Sequence, residues 1–357
     1  MNTMERNDIR GLTETELINV CQKIGLPKFR GRQLFQWIQQ KAVQNWDEIK
    51  NIGKSDLEKI RERLFLEPLD KLKEYVSKDG TRKFLFRLAD GQSIECVLMD
   101  YDRKNSRNRR TVCVSTQVGC PIGCAFCATG LGGWQRNLSA GEIVGQILDI
   151  THAMRREDPE FQVTNIVFMG MGEPLLNYDE VLKSIGLLNQ EAGQNIGMRR
   201  MTISTSGVAP KIRQLAEDNP QVGLAVSLHS ADNSKRNDLI PINRHYPLDE
   251  LMKACQEYTE KTSRRITFEV ALIAGQATME DAEQLSELLQ GQLAHVNLIP
   301  VNPVAETGMA RPDIGEMKKF AQILERRGIP VSLREEKGTD INAACGQLRR
   351  QWESEEK

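Results

Sequence analysis

The chain has 357 residues, of which 39% are hydrophobic and 27% charged, with 48 basic side chains against 49 acidic ones and a formal net charge of −1. That is enough apolar material for one large barrel domain with a small extra module, but no apolar run reaches the roughly 18 residues that a membrane span requires. The even charge balance excludes a general coat for nucleic acid, so any potential that attracts RNA must be local.

Eight cysteines in a chain of this size, with no signal-peptide pattern at the start, predict a protein of the reducing cytoplasm rather than a disulfide scaffold. Helices come first. Thr13 and Glu16 have capping-box spacing, in which each side chain satisfies the other residue's free backbone N–H. Apolar residues Leu34, Phe35, Ile38 and Val43 recur at near-helical intervals over 30–43, and Leu57, Ile60 and Leu64 do so over 57–66. Segments 82–88 and 93–99 then alternate on either side of Ala89-Asp90-Gly91-Gln92, the pattern of a β-hairpin. Candidate basic patches are 103–110, Arg199-Arg200, Arg264-Arg265 and Arg349-Arg350; charge runs of this kind are usually solvated loops or helix ends. These features predict a helical accessory domain over 1–75, a contact for RNA if RNA is the substrate, and a hairpin with a basic linker over 76–110.

From residue 111 the pattern becomes short apolar strand, loop and amphipathic helix, repeated. Strands are expected at 112–116, 165–169, 200–204, 222–228, 265–272, 296–301 and 330–333, with helices such as 139–155, 178–191, 247–261, 279–289 and 314–327 between them. Alternating units of this kind give a parallel sheet with right-handed crossovers. Without a dinucleotide-type G-x-G-x-x-G, the predicted class is α/β, a partial (β/α)6 TIM-like barrel over 111–348, followed by a charged tail at 349–357.

The run Cys120-Pro121-Ile122-Gly123-Cys124-Ala125-Phe126-Cys127 has the spacing C-x3-C-x2-C, with no fourth cysteine nearby. Structural zinc takes four closed ligands, and His152 is too far along to complete a compact site. A [4Fe–4S] cluster normally takes four cysteines, so three would leave one iron open to another ligand. Several predicted strands end in polar or glycine-rich sequence: Ser115-Thr116-Gln117, Gly170-Met171-Gly172-Glu173, Ser204-Thr205-Ser206-Gly207, Ser227-Leu228-His229-Ser230 and Pro300-Val301-Asn302. In a β/α barrel such ends share one rim, where active sites are built. Glycines admit close backbone approach, Glu173 adds a carboxylate, and Ser204, Ser227, His229 and Asn302 offer hydrogen bonds to a ligand. A lone cysteine is most often an inert buried hydrophobe, the expectation for Cys21, Cys96 and Cys255. Cys345 differs because Ala343, Ala344 and Gly346 crowd it, and Cys113 sits on the first barrel strand where it can face the lumen.

Taken in order, Cys113, the cysteine run, Arg136-Asn137-Leu138, the stretch from Gly170 to Asn177, Ser204-Thr205-Ser206-Gly207, Ser227-Leu228-His229, Pro241-Ile242-Asn243, the stretch from Asn297 to Pro303 and the stretch from Asp340 to Leu348 form a specific set. The set resembles the radical S-adenosylmethionine (SAM) enzymes that methylate C2 of an adenosine in 23S ribosomal RNA, with transfer RNA as a further substrate; a sister group acts at C8. The resemblance covers 111–348 and, more loosely, the N-terminal part. It implies a [4Fe–4S] cluster on Cys120, Cys124 and Cys127, and SAM contacts from Gly172, Glu173, Ser204, Ser227, Leu228, His229 and Asn302. It also implies two SAM per turnover. One methylates Cys345; the other yields a 5′-deoxyadenosyl radical that takes hydrogen from that methyl group. The carbon radical adds to the adenine, and Cys113 attacks the Cys345 sulfur to form a disulfide and free the product. Glu95 is the implied base for the ring proton, and the adenine must leave its stack to be reached. The implied partners are 23S rRNA, tRNA and an electron donor such as flavodoxin, acting on a monomer with no membrane segment. A C8 methyltransferase shares every residue named, and a non-catalytic iron–sulfur RNA-binding protein is a third reading.

Overall fold

The structure, a computed structural model, describes residues 6–101 and 109–348; the basic stretch 103–108, Arg349, Arg350 and the charged tail lie outside the described residues. Among the described residues ten strands make one mixed sheet: β1 (Asp70–Val76), β2 (Arg82–Arg87), β3 (Ser93–Tyr101), β4 (Arg109–Cys113), β5 (Asn165–Phe168), β6 (Met201–Thr205), β7 (Gly223–Ser227), β8 (Ile266–Leu272), β9 (Ala294–Pro300) and β10 (Val331–Leu333). Their spatial order is their sequence order. Strands β4 to β10 pair in parallel, as alternating βα units require, and β1 to β4 pair antiparallel. The chain therefore has an α/β fold built on a parallel-rich sheet, as the alternating pattern predicts.

The hairpin is not a free-standing element between two modules. Its second strand, β3, lies against β4, so that Cys113 is flanked by Val97 on one side and Val167 on the other. Strand β1 escaped the periodicity because Asp-Lys-Leu-Lys-Glu-Tyr-Val is an edge strand with no buried residue, and so carries no apolar alternation. The first barrel strand ends at Cys113, earlier than expected. Val114 N–H still donates to the Val167 carbonyl at 3.0 Å, but Ser115 N–H turns to the Gln146 side chain at 2.9 Å and Thr116 N–H donates to the Met171 carbonyl at 2.8 Å, so regular pairing stops.

Helices α1 (Glu14–Lys23), α2 (Lys28–Phe35) and α3 (Lys54–Arg61) build the N-terminal part. Helices α4 (Ala140–Arg155), α5 (Tyr178–Asn189), α6 (Ala209–Asp218), α7 (Leu248–Thr262), α8 (Met279–Leu288) and α9 (Ile314–Arg326) alternate with the parallel strands. The expected capping box of Thr13 with Glu16 forms, and Ser139 with Glu142 forms another at the start of α4. Leu17, Leu34 and Phe35 belong to the same continuous core as Ile166, Ile203 and Val226, so the N-terminal helices are packed onto the barrel. Buried Arg10 secures that junction through Asp8 at 2.9 Å and Asp149 at 3.8 Å. Gln44 and the Leu69 N–H donate to the same Asp149 carboxylate at 3.0 and 2.8 Å. Among the described residues no helix is long and apolar enough to cross a membrane.

Close packing of α1 on α2 depends on Gly31, where an added Cβ would lie 2.5 Å from the Ile18 nitrogen and 2.6 Å from its Cα. Gly31→Ala is expected to cost about 1–3 kcal/mol by overpacking, seen as a lower urea midpoint at an unchanged slope.

Candidate active site

The C-terminal ends of the parallel strands open into a cavity of about 150 Å³. Cys120, Cys124, Cys127, Gly172, Glu173, Ser204, Ser227, His229 and Cys345 all line it. The three cysteines of the run lie between a small antiparallel pair, Gln117–Gly119 with Trp134–Asn137, and a one-turn helix, Ala128–Leu131. Gly119 sets the turn: its φ is +76°, and an added Cβ would stand 1.8 Å from the Gly133 carbonyl oxygen. Only glycine fits there.

All eight cysteines are free thiols, and those at 120, 124 and 127 are half-buried. Burial pushes the Cys120 thiol up to about 12 and raises Cys124 as well, with the charges of the neighbouring cysteines adding to the shift. Thiols gathered in this way favour a bound cation that replaces their protons. Among the described residues no three His, Cys, Asp or Glu side chains close on the single point that one ion would occupy. Three thiols from one short run, with no fourth ligand residue in it, suit a cluster, in which each thiolate bonds its own iron, better than a four-ligand zinc.

Glu173 is almost fully buried and firmly oriented. Its carboxylate accepts from Leu175 N–H at 3.0 Å and from both the N–H and the hydroxyl of Ser206 at 2.7 Å. Burial raises its pKa, and these hydrogen bonds oppose the rise. The glycines before it have a packing duty beyond ligand access. A Cβ on Gly170 would meet the Val114 carbonyl oxygen at 2.6 Å, and one on Gly172 (φ +105°) would meet the Gln117 Cβ at 2.6 Å. The Ser204 hydroxyl donates to Glu269 at 3.0 Å. His229 has a left-handed backbone (φ +60°), accepts the Ala271 N–H on Nδ1 at 2.8 Å and packs edge-on against Phe126. Burial, helped by Arg236, pulls its pKa down to about 3, so the ring is neutral and carries its proton on Nε2.

Three predicted residues are placed differently: Asn302 lines a second cavity and not the first, and the other two line neither. Leu228 points into the core and does not line the cavity, and its backbone is engaged: its N–H donates to the Glu269 carbonyl and its own carbonyl accepts from Arg236 at 3.0 Å. Glu95 is buried on β3 beside the Lys83 ammonium at 3.0 Å and lines neither cavity. Sequence periodicity misses this because the partner lies across the hairpin on β2.

A second, smaller cavity adjoins the first. Cys113, Asn302, Arg334 and Cys345 line it, so Cys345 borders both. The Asn302 amide donates to the Cys345 carbonyl at 3.0 Å, leaving its buried Oδ1 without a partner among the described residues. Burial pushes the Cys113 thiol up to about 12, with the Cys345 charge adding to it, and also raises Cys345; the Arg334 guanidinium pulls both down. Cys113 and Cys345 thus come together from positions 232 apart in the sequence, 345 − 113.

Three charged residues escaped sequence reasoning. Glu269 and Arg334 stand 3.8 Å apart between the two cavities. Arg236 is fully buried and donates to the carbonyls of Ser206, Ser227 and Leu228 at 2.7, 3.1 and 3.0 Å and to Asn243 at 2.6 Å, tying two strand ends together. Asn243 in Pro241-Ile242-Asn243 was the one visible sign of that arrangement. Arg236→Met would leave these carbonyls buried and unpaired, with an expected loss of at least about 2 kcal/mol, measured as a lower denaturation midpoint.

Comparison with known proteins adds to this geometry. Residues 114–289 match the radical SAM superfamily, and residues 7–66 match the ribosomal RNA large subunit methyltransferase N-terminal domain. A protein of Desulfitobacterium hafniense (strain DSM 10664 / DCB-2) named "Probable dual-specificity RNA methyltransferase RlmN" is 72% identical over 357 residues, 100% of both chains. A protein of the same name from Heliobacterium modesticaldum is 49% identical, over 98% of this chain and 91% of its own. The crystal structure of a radical SAM methyltransferase from Sphaerobacter thermophilus superposes with a TM-score of 0.91 at 45% identity, covering 96% of this chain and 99% of that one.

Proposed function

The chain belongs to the RlmN family of dual-specificity RNA methyltransferases within the radical SAM superfamily, and from that premise we propose that it methylates C2 of an adenosine in 23S rRNA, and of one in tRNA, by way of a methyl group carried on Cys345. The observation that supports this most is the position of Cys345 on the border of both cavities, one shared with the three-cysteine run and one shared with Cys113.

Cys120, Cys124 and Cys127 would hold the [4Fe–4S] cluster, which, when bound with SAM, supplies a 5′-deoxyadenosyl radical able to remove hydrogen from an unactivated methyl group. The oriented Glu173 carboxylate is matched to the ammonium of SAM, and the neutral His229 ring with Ser204 and Ser227 to its polar groups. Asn302, on the second cavity, offers an Oδ1 that has no partner among the described residues as a further acceptor. Adenine C2 is not a nucleophile, so direct displacement on the SAM methyl does not serve, and a protein sulfur must carry the methyl group. Cys345 gives up its thiol proton and takes that group. Once one hydrogen has been taken from it, the methyl carbon bonds to C2, and the adduct would return one electron to the cluster and give its C2 proton to a base. The Cys113 thiolate then attacks the Cys345 sulfur, the sulfur–carbon bond breaks with its electron pair on the carbon, which takes a proton to become the new methyl group, and a disulfide forms that must be reduced before the next turnover. Arg334 favours the thiolate at both positions. We assign the ring proton to Glu95, which shares a face of β3 with Val97 and Met99, residues that line the second cavity. That role requires exchange of its Lys83 contact. The N-terminal helices, sharing the barrel's core, would present a fixed surface to the folded RNA.

Reduced protein given SAM and unmodified 23S rRNA fragments is expected to yield 2-methyladenosine, identified by mass and NMR; 8-methyladenosine would move the assignment to C8, and release of no 5′-deoxyadenosine would overturn the enzyme reading. Cys113→Ala is expected to accumulate a covalent protein–RNA adduct through Cys345, with free methylated product down at least ~100-fold; unimpeded turnover would remove Cys113 from the relay. Glu173→Gln is expected to weaken SAM binding about ten-fold, measured by equilibrium binding to the reconstituted protein.

A further inference from the structure

The segment leading to Cys345 is held by the tip of the hairpin between β1 and β2. That tip is prebuilt: Ser77 N–H donates to the Thr81 carbonyl at 2.8 Å, and Thr81 N–H donates to Asp79 at 2.9 Å. From it, bonds reach some 260 residues along the chain. The Ser77 hydroxyl donates to one Asp340 oxygen at 2.6 Å, and Lys78 N–H donates to the other at 3.2 Å. In the reverse sense, Gly338 N–H donates to Asp79 at 3.0 Å. Behind them the Lys83 ammonium donates to the Asn342 carbonyl at 3.3 Å.

The two segments touch. Gly338 has φ +65°, and an added Cβ would come within 2.8 Å of the Ala343 Cβ and 2.9 Å of the Thr81 Cγ2. Asp79 and Asp340 are surface residues, and an exposed carboxylate is ordinarily satisfied by water. Here each accepts from a distant segment of the chain. Their hydrogen bonds also hold them ionised. For Asp79, burial works the other way, but the Thr81 and Gly338 donors outweigh it and bring it down to about 2. For Asp340 the Ser77 hydroxyl leads the lowering.

Past Asn342, whose backbone is left-handed (φ 52°), Ala343 and Ala344 are buried and Cys345 follows. On the far side the loop is moored to the cysteine run: Ala128 N–H donates to the Gly346 carbonyl at 2.7 Å, and the Thr129 hydroxyl donates to the Leu348 carbonyl at 2.6 Å. The sulfur of Cys345 therefore sits between two anchors, one on the hairpin and one beside the cluster ligands.

We propose that Asp79 and Asp340 are positioning residues for Cys345: the hairpin tip clasps the 338–342 segment and thereby sets the Cys345 sulfur between the SAM cavity and Cys113. A sulfur that must meet two reaction partners in turn is sensitive to displacement, since a misplacement of about 1 Å can cost ~100-fold in rate. None of the clasp residues lines the SAM cavity, so its loss leaves SAM cleavage in place and uncouples it from methyl transfer. The inference rests on the proposed relay through Cys345.

The test uses the full-length protein, reconstituted with iron and sulfide, reduced, and supplied with SAM and an unmodified 23S rRNA fragment. It reads methylated adenosine formed per 5′-deoxyadenosine released, together with the fraction of Cys345 found methylated by peptide mass. Asp79→Ala with Asp340→Ala is expected to keep cluster absorbance and 5′-deoxyadenosine release within about two-fold of the parent while the ratio falls about ten-fold. Asp340→Asn, which keeps an oxygen for Ser77, is expected to recover at least about half of the parent ratio. An unchanged ratio in the double variant overturns the proposal, and so does a lowered thermal midpoint with the ratio intact, which would make the clasp merely structural. Should the double variant fail to take up its cluster, Ser77→Ala removes one hydroxyl and is read the same way: a fall of about three-fold supports the clasp and no fall overturns it. A parent protein with no methyl on Cys345 and no methylated adenosine would instead overturn the relay, and the clasp with it.

Discussion

Strands β4 to β10 run in one direction and in sequence order, and every functional position described above depends on that shared direction. Because each crossover returns the chain to the same end of the sheet, every C-terminal strand end falls on one rim. Ser204, Ser227 and Glu173 then face a common cavity although they come from three separate segments of the sequence. Backbone carbonyls at such a rim would diverge unless something bound them. Arg236 does so, with one guanidinium accepted by the carbonyls of Ser206, Ser227 and Leu228. Burial draws its pKa down to about 10, still well above neutral, so the cation persists there.

The same burial governs the proton inventory of the site. His229 is held neutral and is restricted to one tautomer, and the thiols of Cys113 and Cys120 are held protonated when nothing opposes the desolvation of a thiolate. Positive charge is supplied where thiolate chemistry is needed, by Arg334, and Glu269 balances it at 3.8 Å. A site built in this way keeps its nucleophiles quiet until a cation, a bound ligand or a neighbouring sulfur changes the local field.

Much of this was legible from residue order. Strand positions came out within a few residues because parallel strands are buried on both faces and read as short apolar runs. The Cys120-to-Cys127 spacing is local chemistry, and the glycines at 170 and 172 mark close backbone approach wherever they fall. What escaped shares one cause. Arg236, Glu269 and Arg334 look like ordinary charged residues, since a buried charge differs from a solvated one only through partners distant in the chain. Strand β1 escaped because an edge strand carries no apolar alternation. Glu95 was read correctly as part of a hairpin strand, but its pairing with Lys83 depends on hairpin register and on what covers the pair.

The sequence by itself determined the class of this protein: an α/β chain with a three-thiolate run, a glycine-marked strand end and two unusual cysteines, the combination that marks the family. Tertiary structure alone brought Cys113 and Cys345 to one cavity, placed Cys345 on a second cavity with the cysteine run, and turned Leu228 inward. The physical reason is range. Spacing and periodicity report forces that act within a turn of helix or a pair of strands. The meeting of two sulfurs is set by loop closure over hundreds of residues and by hydrogen bonds, such as those from Ser77 to Asp340 and from Asn302 to the Cys345 carbonyl, that exist only once the sheet has formed.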